Sequence, residues 1–412
     1  MPINHVVIIG AGQAGYQTAA SLRQEGFTGS ITLVGDEAGV PYQRPPLSKA
    51  YLLGKVGAPA LRFRPPEWFD QQTVTRIHSS VSQLDRAAQT ITLASGERIA
   101  YDHLVMATGA RNRVPPIPGA DLDGVFGIRT LADAEALAPR VGTTKHVVVI
   151  GAGFIGLEFA AVAAAKGVTV HVVEMGTRPM ARALSTHMSQ LFHEAHLGWG
   201  VKMDYGQTIS LISGTDGKVT GVTTGSSLHI PTDLVVYGIG VVPNAELAAQ
   251  AGLVVDNGIR VDAHLLTSDP AISAIGDVVS FPSPHTASPI RLESVQNAVD
   301  QARNVAARLM GKPVAYAALP WFWTDQGDLK LQIAGLSDGH DHNVLLGSLE
   351  SRQLSVLCFS QGRLVAVESC NRPADHMAAR KILARKLPLT SAQASEPEFN
   401  LKVYEASIPA AT

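Results

Sequence analysis

Cysteine is nearly absent from this chain. Cys358 and Cys370 are its only two, and they do not form a Cys-x-x-Cys pair. That argues against a disulfide framework and for a reducing, cytoplasmic setting. Charge of either sign is also scarce. Charged residues make up 17% of the chain and the formal net charge is −2, so neither nucleic acid nor a membrane surface is an expected partner. No basic n-region opens the chain, and the nearest thing to low complexity is a loosely Ala/Pro-rich tail after Leu387. No metal site is expected. One apolar run, Val147–Ala165, approaches the length of a membrane span. It holds Glu158 and three glycines at turn spacing, which reads instead as strand, turn and helix.

What is there in quantity is apolar sequence, 46% of 412 residues, enough for two or three domains with real cores and rich in parallel sheet. Val147–Ile150 reads as a buried strand, Gly151-x-Gly153-x-x-Gly156 as a tight turn, and Leu157 onward as a helix. Glycines have distinct jobs in such a unit: one turns where a side chain would clash, one lets the backbone approach a pyrophosphate, and one lets helix pack on strand. The helix N-terminus then offers N–H groups and a positive dipole end to phosphate. Glu174, closing the run Val168–Val173, stands where a carboxylate accepts ribose hydroxyls and repels a 2′-phosphate, so NADH is expected over NADPH. The N-terminus repeats the pattern: strand His5–Ile9, Gly10-x-Gly12-x-x-Gly15, a helix to about Gly26, and a strand Ile31–Val34 ending at Asp36. Two fingerprints, each with its acidic partner, point to a protein that binds two dinucleotides.

The stretch Pro41-Tyr-Gln-Arg44-Pro45-Pro46-Leu47-Ser48-Lys49 follows the first fingerprint. Pro45 and Pro46 fix an extended path, and Ser48 reads as a helix start. This stretch resembles the FAD-dependent ferredoxin reductases of the putidaredoxin reductase type, within the wider glutathione-reductase-like superfamily. Three further segments carry the resemblance: Ala107-Thr108-Gly109, Thr267 to Asp277 ending in Gly276-Asp277, and Trp321-Phe322-Trp323-Thr324-Asp325-Gln326. Disulfide reductases of the superfamily place a cysteine pair behind the first fingerprint, and related NADH oxidases and peroxidases a single one. Here Leu47, Ser48 and Lys49 stand there, so electrons are expected to leave the flavin directly.

The resemblance implies an α/β fold of two Rossmann-like dinucleotide-binding domains plus a C-terminal α+β interface domain. The expected division is an FAD domain at 1–113 and 248–325, an NADH domain at 114–247, and the interface domain at 326–412. FAD would meet Gly10, Gly12, Ala14, Gly15, Asp36, Arg44, Pro45, Lys49, Val81, Thr108, Gly109, Arg129, Gly276, Asp277 and Val295. NADH would meet Gly151, Gly153, Phe154, Ile155, Gly156, Glu174 and Gly240. Lys49, Glu158 and Trp323 would carry the chemistry: Lys49 beside the flavin, Glu158 in the first turn of the second dinucleotide helix as its partner, and Trp323 near the nicotinamide pocket. Arg291–Gln301 reads as a helix start whose N–H groups could favour a reduced, anionic flavin.

Toward the C-terminus, strands at Lys330–Ala334, His342–Leu349, Leu354–Ser360 and Arg363–Cys370 should lead to a helix Pro373–Leu387. Arg380, Lys381, Arg385 and Lys386 make that helix end basic, either as a solvated terminus or as a dock for an acidic [2Fe–2S] ferredoxin. The implied activity is NADH:ferredoxin reduction, by a monomer or weak homodimer, in service of a cytochrome P-450 monooxygenase or a Rieske aromatic-ring dioxygenase. Competing readings are an NADH oxidase or disulfide-type reductase, a redox-sensing protein resembling apoptosis-inducing factor, and a monodehydroascorbate reductase.

Overall fold

In the computed structural model, which describes residues 3–409, the chain forms two compact units. The first comprises residues up to 43, 59–111 and 241–318; the second comprises 44–58, 112–240 and residues from 319 onward.

The first unit is built on a five-stranded parallel sheet in the order Ile272–Ala274, His103–Met106, His5–Ile9, Ser30–Gly35, Val74–His78. His5–Ile9 lies in the middle, in register with Ser30–Val34 on one side and with His103–Met106 on the other. A central parallel strand is covered on both faces, which is why Val6, Val7, Ile8 and Ile9 form an unbroken apolar run. The helices Gln13–Gln24 and Val295–Leu309 pack together over this sheet. A three-stranded antiparallel sheet, Val81–Asp85, Thr90–Leu93 and Arg98–Ala100, is joined to it in sequence. Ser95 and Gly96 turn the chain between the second and third strands of this small sheet. The strand His103–Met106 follows Asp102, whose carboxylate accepts from Asn4 N–H and His5 N–H at 2.8 Å each.

The second unit repeats the design. Its parallel sheet runs Lys202–Asp204, Thr169–Val173, His146–Ile150, Leu234–Tyr237, Val125–Gly127. The helices Leu131–Val141, Phe154–Ala165 and Thr186–Gly198 accompany it, with Ile209–Thr215, Lys218–Thr224 and His229–Pro231 as an antiparallel appendage. Leu131–Val141 starts with a capping box in which Thr130 and Asp133 satisfy each other's backbone N–H. The same unit contains a five-stranded antiparallel sheet in the order Trp321–Gln326, Leu329–Gly335, Arg363–Cys370, Gln353–Ser360, His342–Ser348. The helix Pro373–Ala384 packs on it, burying Ala378, Ala379 and Ile382 against Leu357, Phe359 and Val367. The hairpin Gln361-Gly362 has both residues at positive φ, the backbone a tight two-residue turn requires.

The fold class is the expected one, two Rossmann-like domains and a C-terminal antiparallel sheet with helices. Several boundaries differ. The second dinucleotide helix begins at Phe154, because Gly153 caps it, so Glu158 lies beyond the first turn. The late helix begins at Val295, since Ser294 is its N-cap and accepts from Asn297 N–H. Pro45–Ser48 is a single 3₁₀ turn that Ser48 ends rather than begins. Among the described residues no helix is long and apolar enough to cross a membrane.

Candidate functional site

In the first unit the parallel strands aim their C-terminal ends at the glycine turn, the place where doubly wound sheets bind ligands. Gly10 sits at φ +107°, and a Cβ there would fall 2.1 Å from Ala107 O. Gly15 is equally closed, its Cβ position 1.8 Å from Gly10 O. Gly12, by contrast, has nothing among the described residues within 4 Å of its Cβ position. It is also the N-cap of Gln13–Gln24, with no side-chain cap and no acidic residue in the first turn. Open backbone N–H groups at a helix start, cleared of side chain and negative charge, are what a pyrophosphate needs. The residues fit a dinucleotide.

The other expected FAD residues of this unit lie on several elements. Ala14 lies under Gly276, whose Cβ position is 3.1 Å from Ala14 Cβ. Gly276 N–H donates to Gln301 Oε1 at 2.7 Å, and the Asp277 carbonyl accepts from Arg291 at 3.1 Å. Thr108 and Asn244 are tied reciprocally: Thr108 Oγ1 donates to Asn244 O at 2.7 Å, and Asn244 Nδ2 donates to Thr108 O at 2.9 Å. Gly109 follows at φ +65°. Asp36 is exposed just past its strand, while the neighbouring Glu37 accepts from Tyr42 OH. Val81 opens the small antiparallel sheet, and Val295 is the first residue of its helix.

In the second unit the turn is built alike. Gly151 lies at φ +97°, with its Cβ position 2.8 Å from Gly238 O, and that of Gly156 is 2.4 Å from Gly151 O. Gly153 caps Phe154–Ala165 without a side-chain bond, and the first turn, including Phe154 and Ile155, has no acid. Glu174 closes the loop. Its carboxylate accepts from Ala152 N–H and from Gly176 N–H at 2.6 Å each. Arg178, the nearest downstream cation, is committed to Leu184 O, Ala181 O and Ser189 Oγ, so it is not offered to a 2′-phosphate. Gly240 stands at φ +99° after the strand Leu234–Tyr237.

The second unit also holds a buried charge pair. Lys49 Nζ lies 2.8 Å from Glu158 Oε1, and both side chains are mostly out of water. Two hydroxyls complete the carboxylate's shell: Ser48 donates to Oε2 at 2.5 Å and Thr324 to Oε1 at 2.6 Å. A carboxylate desolvated among a cation and two donors is strongly held, and loss of one partner is costly. Arg44, at the start of the same 3₁₀ turn, donates to the Arg129 carbonyl at 2.8 Å. Trp323 is half-buried, 5.5 Å from Trp321 between ring centroids. Arg380 lies over Trp321 at 4.6 Å.

The basic helix end is less free than its sequence suggests. Lys381 and Arg385 both reach Glu405 of the helix Leu401–Ser407, at 3.3 and 3.4 Å. Cys358 and Cys370 are fully buried and unpaired. Burial drives both thiols up, Cys370 to about 12, so neither supplies a thiolate.

Residues 4–302 match the family model "pyridine nucleotide-disulphide oxidoreductase", and 321–404 match "reductase C-terminal". The chain belongs to the pyridine nucleotide-disulphide oxidoreductase family, in its ferredoxin reductase branch. FAD is its cofactor and NADH its co-substrate. The rhodocoxin reductase of Rhodococcus erythropolis is 54% identical over 399 residues, 97% of this chain and 93% of that one. The ferredoxin reductase for the CYP199A2 system of Rhodopseudomonas palustris superposes with a TM-score of 0.96 at 50% identity, covering 98% of this chain and all of that one. A covalent putidaredoxin reductase–putidaredoxin complex matches with a TM-score of 0.96 at 37% identity, covering 99% of each chain.

For this reductase, sequence reasoning missed Ser48, Thr324 and Gln326 as parts of the carboxylate's surroundings. Thr324 and Gln326 lie inside the Trp321–Gln326 signature. The alternation of Trp321–Gln326 put Thr324 and Gln326 on one face, and only that weak signal was available.

Proposed function

We propose that this reductase takes electrons from NADH into FAD and passes them singly to a [2Fe–2S] ferredoxin that supplies a cytochrome P-450 monooxygenase. The observation that carries the reading is chemical: where a disulfide reductase needs redox cysteines, this chain has Leu47, Ser48 and Lys49, and its two thiols are buried in the C-terminal sheet. The names of its relatives agree, since one serves a CYP199A2 system and another is captured with putidaredoxin.

FAD supplies the step that accepts a hydride and releases single electrons. The chain's own residues bind and orient. The open N–H groups at Gly12 receive the FAD pyrophosphate, with Asp36 on its ribose and Asp277 on its ribityl chain. The N–H groups at Gly153 receive the NADH pyrophosphate, and Glu174 selects the unphosphorylated ribose. Lys49 offers positive charge to the reduced flavin, and Glu158 holds that ammonium in place. Trp323 provides an aromatic surface beside the nicotinamide, in a protein working in the cytoplasm. The test is steady-state turnover with a [2Fe–2S] ferredoxin, with oxygen and with disulfides as acceptors. Ferredoxin should be reduced fastest, with little oxygen consumed and no disulfide cleaved; fast disulfide reduction would overturn the assignment.

A further inference from the structure

Glu158 does not end at Lys49. Thr324, which donates to its Oε1, accepts in turn from Gln326 Nε2 at 3.3 Å. Gln326 Oε1 is 2.9 Å from His196 Nε2. Thr324, Gln326 and His196 are all buried to 1% exposure or less. The direction of every bond follows from these contacts. His196 Nδ1 has no partner among the described residues, and burial pushes the ring down to about 4, so it is neutral. The Gln326 amide sets its oxygen toward His196 and its nitrogen toward Thr324, so the proton of the neutral ring is on the Nε2 that faces that oxygen. Gln326 then occupies an acceptor site of the Thr324 hydroxyl and leaves its proton for Glu158. The row of donors points one way, onto the carboxylate that holds Lys49.

We propose that Thr324 is a positioning residue of the reductase: backed by Gln326 and His196, it locks the Glu158 carboxylate in the orientation that pins the Lys49 ammonium. The same bond ties the strand carrying Trp323 to the helix whose N-terminus is the NADH pyrophosphate site. A valine at 324 would keep the shape while removing the hydroxyl. Among the described residues, Oε1 would then retain Lys49 alone, and Gln326 Nε2 only the long contact to Met180 sulfur, 3.7 Å. A charge-assisted hydrogen bond of this kind corresponds to about a tenfold change or more in an equilibrium it controls. The flavin-linked part of the inference rests on the proposed role of Lys49; the pinning of Lys49 does not.

The experiment measures two quantities on the holoenzyme. One is the rate at which the Lys49 amine is acylated by an excess of acetylating reagent, read by peptide mass spectrometry. The other is the midpoint potential of the bound flavin. Thr324→Val should speed acylation of Lys49 by about tenfold, while Thr324→Ser, which restores the hydroxyl, should match the wild-type protein. Lys49→Met should shift the potential, Thr324→Val should shift it part of the way in the same direction, and adding Thr324→Val to Lys49→Met should change nothing further. Wild-type acylation in Thr324→Val, or equal acceleration in Thr324→Ser, would overturn the proposal. An unchanged potential in Lys49→Met would instead refute the flavin role of Lys49, and the acylation rates would still decide for or against Thr324.

Discussion

Replacing Glu174 by alanine should weaken selection of NADH over NADPH by about a hundredfold. The carboxylate closes the glycine loop through two backbone N–H bonds of 2.6 Å, to Ala152 and Gly176, which sets its two oxygens beside the nucleotide turn. Each oxygen keeps a lone pair for a ribose hydroxyl. NADPH lacks only the 2′-hydroxyl, and a hydrogen bond to a charged acceptor contributes about 1.5–3 kcal/mol, so at the upper end its loss amounts to about 3 kcal/mol, or roughly two factors of ten. Repulsion of a 2′-phosphate adds to the discrimination, but Glu174 is half-exposed and solvent screening reduces that part. The loop also loses its two caps, so NADH should bind worse while NADPH changes little or improves. The assay is kcat/KM for ferredoxin reduction with each nucleotide, for the wild-type protein and Glu174→Ala. A parallel fall with both nucleotides would mean that Glu174 only braces the loop. A wild-type preference for NADPH would refute the reasoning altogether.

Other outcomes follow from the same geometry. Gly156→Ala places a Cβ 2.4 Å from Gly151 O and should abolish NADH-dependent flavin reduction while flavin stays bound; normal reduction would show that the turn can relax. Burial raises the Glu368 carboxyl, which accepts from Ser185 N–H and Oγ–H at the N-terminus of Thr186–Gly198. A folded-state value above the unfolded one gives stability that is complete at low pH and lost as pH rises through the raised value. Glu368→Gln should therefore raise the melting temperature at neutral pH, with the gain shrinking toward pH 4 and below; a constant offset would contradict this. The buried rings of His103 and His196 are pushed down to about 3 and about 4 by desolvation. Their contribution is present above the unfolded value and is lost as pH falls, each costing about 1.4 kcal/mol by about pH 5.5. Chemical denaturation across that range should show the loss, and a flat profile would refute it.

Much of the reductase was legible in its sequence because its two nucleotide loops are local objects. Within a dozen residues each, they specify strand, turn, cap and helix, and the clashes that demand Gly15 and Gly156 come from within the loop, whereas those at Gly10 and Gly151 come from the distant Ala107 and Gly238 carbonyls. The absence of cysteine near Lys49 was equally readable. What sequence did not disclose depends on contacts across long separations. Thr324 and Ser48 are ordinary hydroxyl residues until the fold brings both to Glu158, more than a hundred positions from either. Glu405 neutralises part of a helix end that looked like an open basic patch, because a short later helix folds back onto it. Helix starts shifted for a local reason, the glycine and serine caps lying a few residues away from the first apolar residue of the periodic pattern.

On the proposed function, electrons leave the flavin directly, with no thiol step. Anaerobic mixing of the NADH-reduced reductase with a [2Fe–2S] ferredoxin, in the wild-type protein and in a Cys358→Ala/Cys370→Ala variant, tests it most directly. About two ferredoxins should be reduced per NADH, at the same rate in both proteins. Failure of any ferredoxin to reoxidise the flavin, or loss of transfer in the cysteine-free variant while its flavin is still reduced by NADH, would contradict it.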